Sequence, residues 1–225
     1  MHPAAAPRVR ISLAAIVANI RAVTGGEDGV VDLRRDARGH GFGPVAEAVL
    51  AATGLDVLAD PADVARSGTA SARVRTEGSA TTAASAVFGL EEDTAPAMTL
   101  IGTVLAVKDL RAGEGVSYGY LHRAAADTRV ALVTGGYAQG IPRVLGSRTH
   151  VAISGRRHPV IGRVAMDVCV VDIADAPVDR GAEVVYFGDP AGRAPSVRDW
   201  GRESGLRPLE IVTGVGLHTR REYSS

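Results

Sequence analysis

The chain is poor in lysine, in cysteine and in uninterrupted apolar sequence. Lys108 is its only lysine, so every other one of the 25 basic side chains is arginine. Chemistry that needs a side-chain amine, a Schiff base above all, runs through Lys108 or not at all. Lys108 lies in "VKDLRAGEG" beside Asp109, Arg111 and Glu114, which reads as a solvated strand end. The single cysteine, Cys169, excludes an internal disulfide and a Cys-rich metal site, in keeping with a reducing compartment. Within "VAMDVCVVDI" it reads as a small core residue rather than a nucleophile, because its neighbours are strand formers and no basic group adjoins it. No apolar run approaches the roughly 20 residues that span a bilayer, and "MHPAAAPRVR" has no signal-type apolar run behind a basic head. The expectation is a cytoplasmic protein with no membrane partner. The 25 basic and 25 acidic side chains cancel, which argues against nucleic acid as a partner. His40, His122, His150, His158 and His218 show no metal-ligand spacing, so no metal site is expected.

What is present is enough apolar sequence, 46% of the chain, to bury a core. The first third alternates strand and helix. "RVRIS" alternates as a strand, and Ser12 caps a helix carrying Leu13, Ile16, Val17, Ile20 and Val23 at helical spacing. "GVVDL" is a second strand, "RGHGFG" a glycine turn, and Pro44 opens a helix with Val45, Val49 and Leu50 inward. "LDVLA" follows, then Asp60 and Pro61 as N-cap and first residue of "PADVARSG". Such βα repetition marks a parallel sheet. From Ser67 the sequence turns small and polar, as in a linker. Beyond it, "MTLIGTVLAV", "RVALVTGGY", "THVAISG", "HPVIGRVAM", "DVCVVDI" and "AEVVYFG" read as an antiparallel β domain. Ser196 and Asp199 form a capping box ahead of a closing helix, and the mixed stretch "LEIVTGVG" follows.

Several of these motifs, in this order, resemble the alanine racemase family. "RVRISLAAIVANIRAV" is similar to that family's first strand and helix, and "RRDARGHGFGPVA" to its cofactor loop, K-A-D-A-Y-G-H-G followed by a helix. "AVFGL" and "PAMTLIGTV" resemble the exit from the last barrel strand. "GEGVSYGY", "GYAQGIPRVL", "GRRHPVIGRVAMDVCVVDI" and "GAEVVYFG" carry the resemblance almost continuously over residues 98–190. It implies an α+β fold: residues 8–66 a short βα remnant of a TIM-type barrel, 67–97 a linker with the last barrel strand remnant, and 98–223 a mostly antiparallel β domain. An eight-stranded barrel takes at least about 200 residues, so this remnant cannot close and its parallel sheet needs cover.

The resemblance also implies a pyridoxal-phosphate isomerase acting on alanine, with two bases, a lysine that also forms the Schiff base and a tyrosine from a second subunit. The lysine position falls on Arg34, whose guanidinium is always protonated and is not an amine. The phosphate-gripping tyrosine falls on Arg38, the arginine facing the ring nitrogen on Thr82, and a C-terminal tyrosine on Leu209. By contrast, Tyr118 stands at the second-base position, Tyr137 at a substrate-entry tyrosine, and Met166 with Asp167 on the loop that meets the substrate carboxylate. Each residue has a structural alternative. Tyr118 can be a packed turn tyrosine, Asp167 can bond its own turn, and Gly39 and His40 suit either a phosphate cradle or an ordinary strand-to-helix turn. The expectation is a pseudoenzyme that binds no cofactor alone. It would meet pyridoxal phosphate and a small amino acid through a full-length racemase subunit or in a dimer. The rivals are an active racemase using Lys108, a binding module and a decayed remnant.

Overall fold

The computed structural model describes residues 6–25, 28–117, 119–120, 122–188 and 192–225. From the N-terminus, β1 (Arg8–Ser12) runs into α1 (Leu13–Thr24), followed by β2 (Val30–Asp32), α2 (Phe42–Ala52), β3 (Asp56–Leu58), α3 (Pro61–Ser67), β4 (Val74–Arg75) and α4 (Ala84–Val87). Next come the long β5 (Met98–Leu110), β6 (Gly115–Val116), β7 (His122–Arg123), β8 (Thr128–Thr134), β9 (His150–Ile153), β10 (Arg156–Ile161), β11 (Val168–Asp172) and β12 (Glu183–Phe187). The chain ends in α5 (Val197–Ser204), α6 (Pro208–His218) and β13 (Arg220–Ser224).

The β domain expected beyond residue 98 is a closed antiparallel barrel in the order β5, β8, β11, β10, β9, β12 and back to β5. β5 closes it by changing partners along its length. Its first half pairs with β12, its second half with β8, and the register shifts between Val104 and Ala106. Closure satisfies the edges that an open sheet would leave bare. Trp200 of α5 plugs one end, edge-on to Tyr186 and Phe187 at 6.4 and 5.0 Å between ring centroids. The Ser196 hydroxyl accepts from the Asp199 N–H at 3.1 Å, and the Asp199 carboxylate accepts from the Ser196 N–H at 2.7 Å, completing the expected capping box.

The α/β part differs from the sequence reading in three places. β1 does not enter the parallel sheet; it lies antiparallel to β5 and parallel to β13, with Val9 and Ile11 fully buried. Alternation fixes which face of a strand is apolar but says nothing of its partner. The parallel sheet is therefore only β2, β3 and β4. Its β2 edge is covered by Thr81, whose N–H donates to Val30 and whose hydroxyl accepts from the Val30 N–H, both at 2.9 Å. Second, residues 67–97 are tied down rather than a free linker. Arg73 donates to the carbonyls of Leu50, Thr53 and Leu55, and "AVFGL", which resembles a barrel-strand exit, carries the last two residues of the short helix α4. Third, Val23 on α1 faces solvent, while buried Asn19 bonds the backbone of Val87 and Ala95. "LEIVTGVG", read as mixed, is the helix α6, whose Ile211, Val212 and Val215 seal the core beside the glycine turn.

No described helix is long and apolar enough to cross a membrane.

Candidate functional site

After β2 the chain makes one left-handed helical turn. Arg35, Asp36, Ala37 and Arg38 all have φ between +50° and +58°, a conformation costing about 1–2 kcal/mol for each residue with a Cβ. Carboxylates hold it there. The Arg35 N–H donates to Asp60 and the Asp36 N–H to Asp63, each at 2.7 Å. Asp36 in turn accepts from the Phe42 N–H at 2.7 Å and pairs with Arg221 at 2.6 Å. Hydrogen bonds to charged acceptors contribute about 1.5–3 kcal/mol each, enough to offset the strain. Asp60 occupies the N-cap position expected of it, yet its side chain makes no capping bond; its carboxylate accepts from the Arg35 N–H.

Gly39, at φ +85°, ends the turn beneath α6. A Cβ on Gly39 would stand 2.9 Å from the Thr213 carbonyl oxygen, and one on Gly216 would overlap the Gly39 carbonyl oxygen. The two backbones touch, so glycine is required on both sides.

At the end of β2 the Asp32 carboxylate, 8% exposed, gathers both arginines of the turn. Arg34 donates through Nε at 2.9 Å, Nη2 at 2.8 Å and its backbone N–H at 3.1 Å. Arg38 adds Nη2 at 2.6 Å. Burial by itself would raise the Asp32 carboxyl, but the bonds from Arg34 and Arg38 outweigh it and bring the pKa from 3.8 down to about 2. The same contact raises the Arg34 guanidinium above its ordinary value. Asp32 went unnoticed in the sequence, although an acid at the end of an apolar strand, two residues before an arginine, shares a face with it.

His40 points inward. Its ring stacks on Phe88 with centroids 4.3 Å apart, and Nδ1 lies 3.0 Å from the Ala37 carbonyl, which can only accept, so Nδ1 carries the proton. Nε2 is buried with no partner, and burial drives the imidazole down to about 4. Arg38 and Leu209, far apart in sequence, meet in one cleft of about 870 Å³ walled also by Arg35, Ser85, Arg207 and Thr213.

On the β barrel, Tyr137, Met166 and Asp167 come together. The Tyr137 N–H donates to Ala165 at 3.0 Å, the Ala138 N–H to Met166 at 2.9 Å, and the Gly135 N–H to Asp167 at 2.8 Å. A Cβ on Gly136 would overlap the Met166 carbonyl oxygen, so glycine again sets the approach. The Asp167 carboxylate accepts from the Gln139 side chain at 3.1 Å. Tyr137 lies 5.1 Å from the Arg143 guanidinium and is 38% exposed, and Met166 is 54% exposed. Tyr118 lies outside the described residues. Lys108 is exposed on β5 opposite Val130, within the barrel and not at the turn. Cys169 is core, as expected: its thiol donates to the Gly135 carbonyl at 3.1 Å, and burial pushes it up to about 12. Among the described residues no group of three or more His, Cys, Asp or Glu could hold a metal ion.

Residues 97–223 match the family model for the alanine racemase C-terminal domain, more than half of the chain. The alanine racemase of Mycobacterium leprae is 44% identical over 130 residues, covering 57% of this chain and 34% of that protein. That of Thermobifida fusca is 40% identical over 129 residues with the same coverages. The matched part thus spans about a third of the length of these curated relatives. In overall fold, the chain is similar to the alanine racemase of Streptomyces coelicolor A3(2), with a TM-score of 0.79 at 21% identity over 97% of this chain and 98% of the other. It is also similar to one from Bartonella henselae with covalently bound pyridoxal phosphate, with a TM-score of 0.74 at 16% identity over 98% and 100% of the two chains. On the strength of its β domain, the chain belongs to the alanine racemase family.

Proposed function

We propose that this chain does not racemise by itself, and that its β domain completes a site whose other half stands on a full-length racemase subunit. The observation that carries this reading is Arg34. At the position where the family resemblance requires an amine there is a guanidinium bound twice by Asp32. The other residues of the turn agree. Arg38 is engaged by the same carboxylate, His40 is turned into the core, and the only lysine is on β5. These residues do not fit pyridoxal phosphate held as an imine, so no step is assigned to that cofactor within this chain. A dimer of this chain alone would bring two such domains together with no lysine at either turn.

What the chain offers a partner is on the barrel. Tyr137, Met166 and Asp167 share one surface, two of them exposed, and there they would line the entry to the partner's site and meet the carboxylate of a small amino acid. Tyr118 would serve as the acid or base across that interface. The setting would be cytoplasmic.

Co-expression with a full-length alanine racemase, gel filtration and an assay of D-alanine formation test the proposal. A mixed species is expected, with Tyr118→Phe changing its activity. Absence of a mixed species with unchanged activity would overturn it, as would racemisation by the isolated chain with added pyridoxal phosphate.

A further inference from the structure

Arg34 invites the conclusion that one substitution separates this turn from one able to carry an amine. The geometry points to a second obstacle: we propose that Asp32 is a positioning residue that holds any cationic side chain at position 34 in its charged, carboxylate-bound form, closed to carbonyl compounds. This deepens the reading that the turn cannot form an imine.

Asp32 accepts four hydrogen bonds, three of them from residue 34. With lysine in place of Arg34, the carboxylate would lose two side-chain donors while remaining almost wholly buried, and its freed lone pairs would face the space that the guanidinium leaves. A lysine stem from the same Cα reaches that space, and a buried carboxylate without a full set of donors is costly. The charged groups around position 34 are Asp32 on β2, Arg35 and Arg38 in the turn and Asp60 ahead of α3. Asp60 already accepts from the Arg35 N–H, and Arg38 reaches Asp32 through Nη2 alone. The ammonium therefore has one short partner, Asp32. An ammonium has no lone pair. Imine formation, in which an amine nitrogen bonds a carbonyl carbon and water leaves, requires the proton to be lost first.

The native chain has one lysine, so R34K produced with ¹³C-labelled lysine adds a single new side-chain Cε resonance, with no chemical modification of the amine. Titration by NMR then reports the introduced amine against Lys108 as an internal reference. The expected result is that the introduced amine in R34K titrates above Lys108, that D32N/R34K lowers it by about one pH unit or more with Lys108 unmoved, and that D32E/R34K restores it. An introduced amine titrating at or below Lys108 while Asp32 is present, or an unchanged value in D32N/R34K, would overturn the proposal. Should R34K fail to fold, R34H carries the same comparison near neutral pH, with the imidazole expected to fall in D32N/R34H. Treating the unsubstituted chain with pyridoxal phosphate and borohydride separates the two readings. An adduct on Lys108 would count against the proposed function and leave the role of Asp32 standing.

Discussion

Replacing Asp32 with asparagine keeps the shape at the end of β2 and removes its charge. The consequence can be worked from the four hydrogen bonds that Asp32 accepts. Its pKa is about 2 in the folded chain against an ordinary 3.8. A carboxyl depressed on folding stabilises the native state above its unfolded pKa and loses that contribution as pH falls toward the folded one. The shift corresponds to at most about 2 kcal/mol at pH 7, since Arg34 is partly in solvent and screens its share, and to about 1 kcal/mol at pH 3. Urea unfolding of the parent and of D32N at both pH values measures this. The expected result is a deficit for D32N of about 2 kcal/mol at pH 7 that narrows by about half at pH 3. A deficit that does not change with pH would refute the assignment of Asp32 as the depressed, doubly paired acid, and so would the absence of any deficit at pH 7.

Four further outcomes are expected. His40 is depressed to about 4 by burial, so it stays neutral in the folded chain. The contribution should be full above about pH 7.5 and fall by about 2 kcal/mol between pH 7.5 and 5, and His40→Asn should flatten that stretch of the profile in urea titrations. Gly216→Ala, which forces a Cβ against the Gly39 carbonyl, should cost about 1–3 kcal/mol. Gly214→Ala, with nothing within 4 Å of its Cβ in the same helix, should instead stabilise by up to about 1 kcal/mol by thermal unfolding. Ser12→Ala removes the acceptor of the Ala15 N–H at the start of α1 and should cost about 1 kcal/mol in the same measurement.

The order of elements was legible because local chemistry writes it. Short strand-forming runs between Gly, Pro and charged turns gave the six barrel strands, Ser12 and the Ser196 and Asp199 pair marked helix starts, and Gly39 and Gly41 marked the turn. That position 34 cannot form an imine was legible too, since a guanidinium is not an amine. Tyr137, Met166 and Asp167 could be singled out by motif, but their meeting could not be read from spacing. It rests on hydrogen bonds between two loops about thirty residues apart in sequence.

The sequence by itself determined the six barrel strands, the helices α1, α2, α3 and α5, the α+β class and the absence of a lysine at the turn, because these depend on residue type and near neighbours. Only the tertiary structure decided that β1 leaves the parallel sheet for β5 and β13, that Asp60 and Asp63 hold a left-handed turn, and that Asp32 binds Arg34 and Arg38 together. The reason is common to all three. Strand partners, and the acceptors that satisfy a strained backbone or a buried charge, are chosen by what folding brings near, and separation along the chain carries no record of that choice.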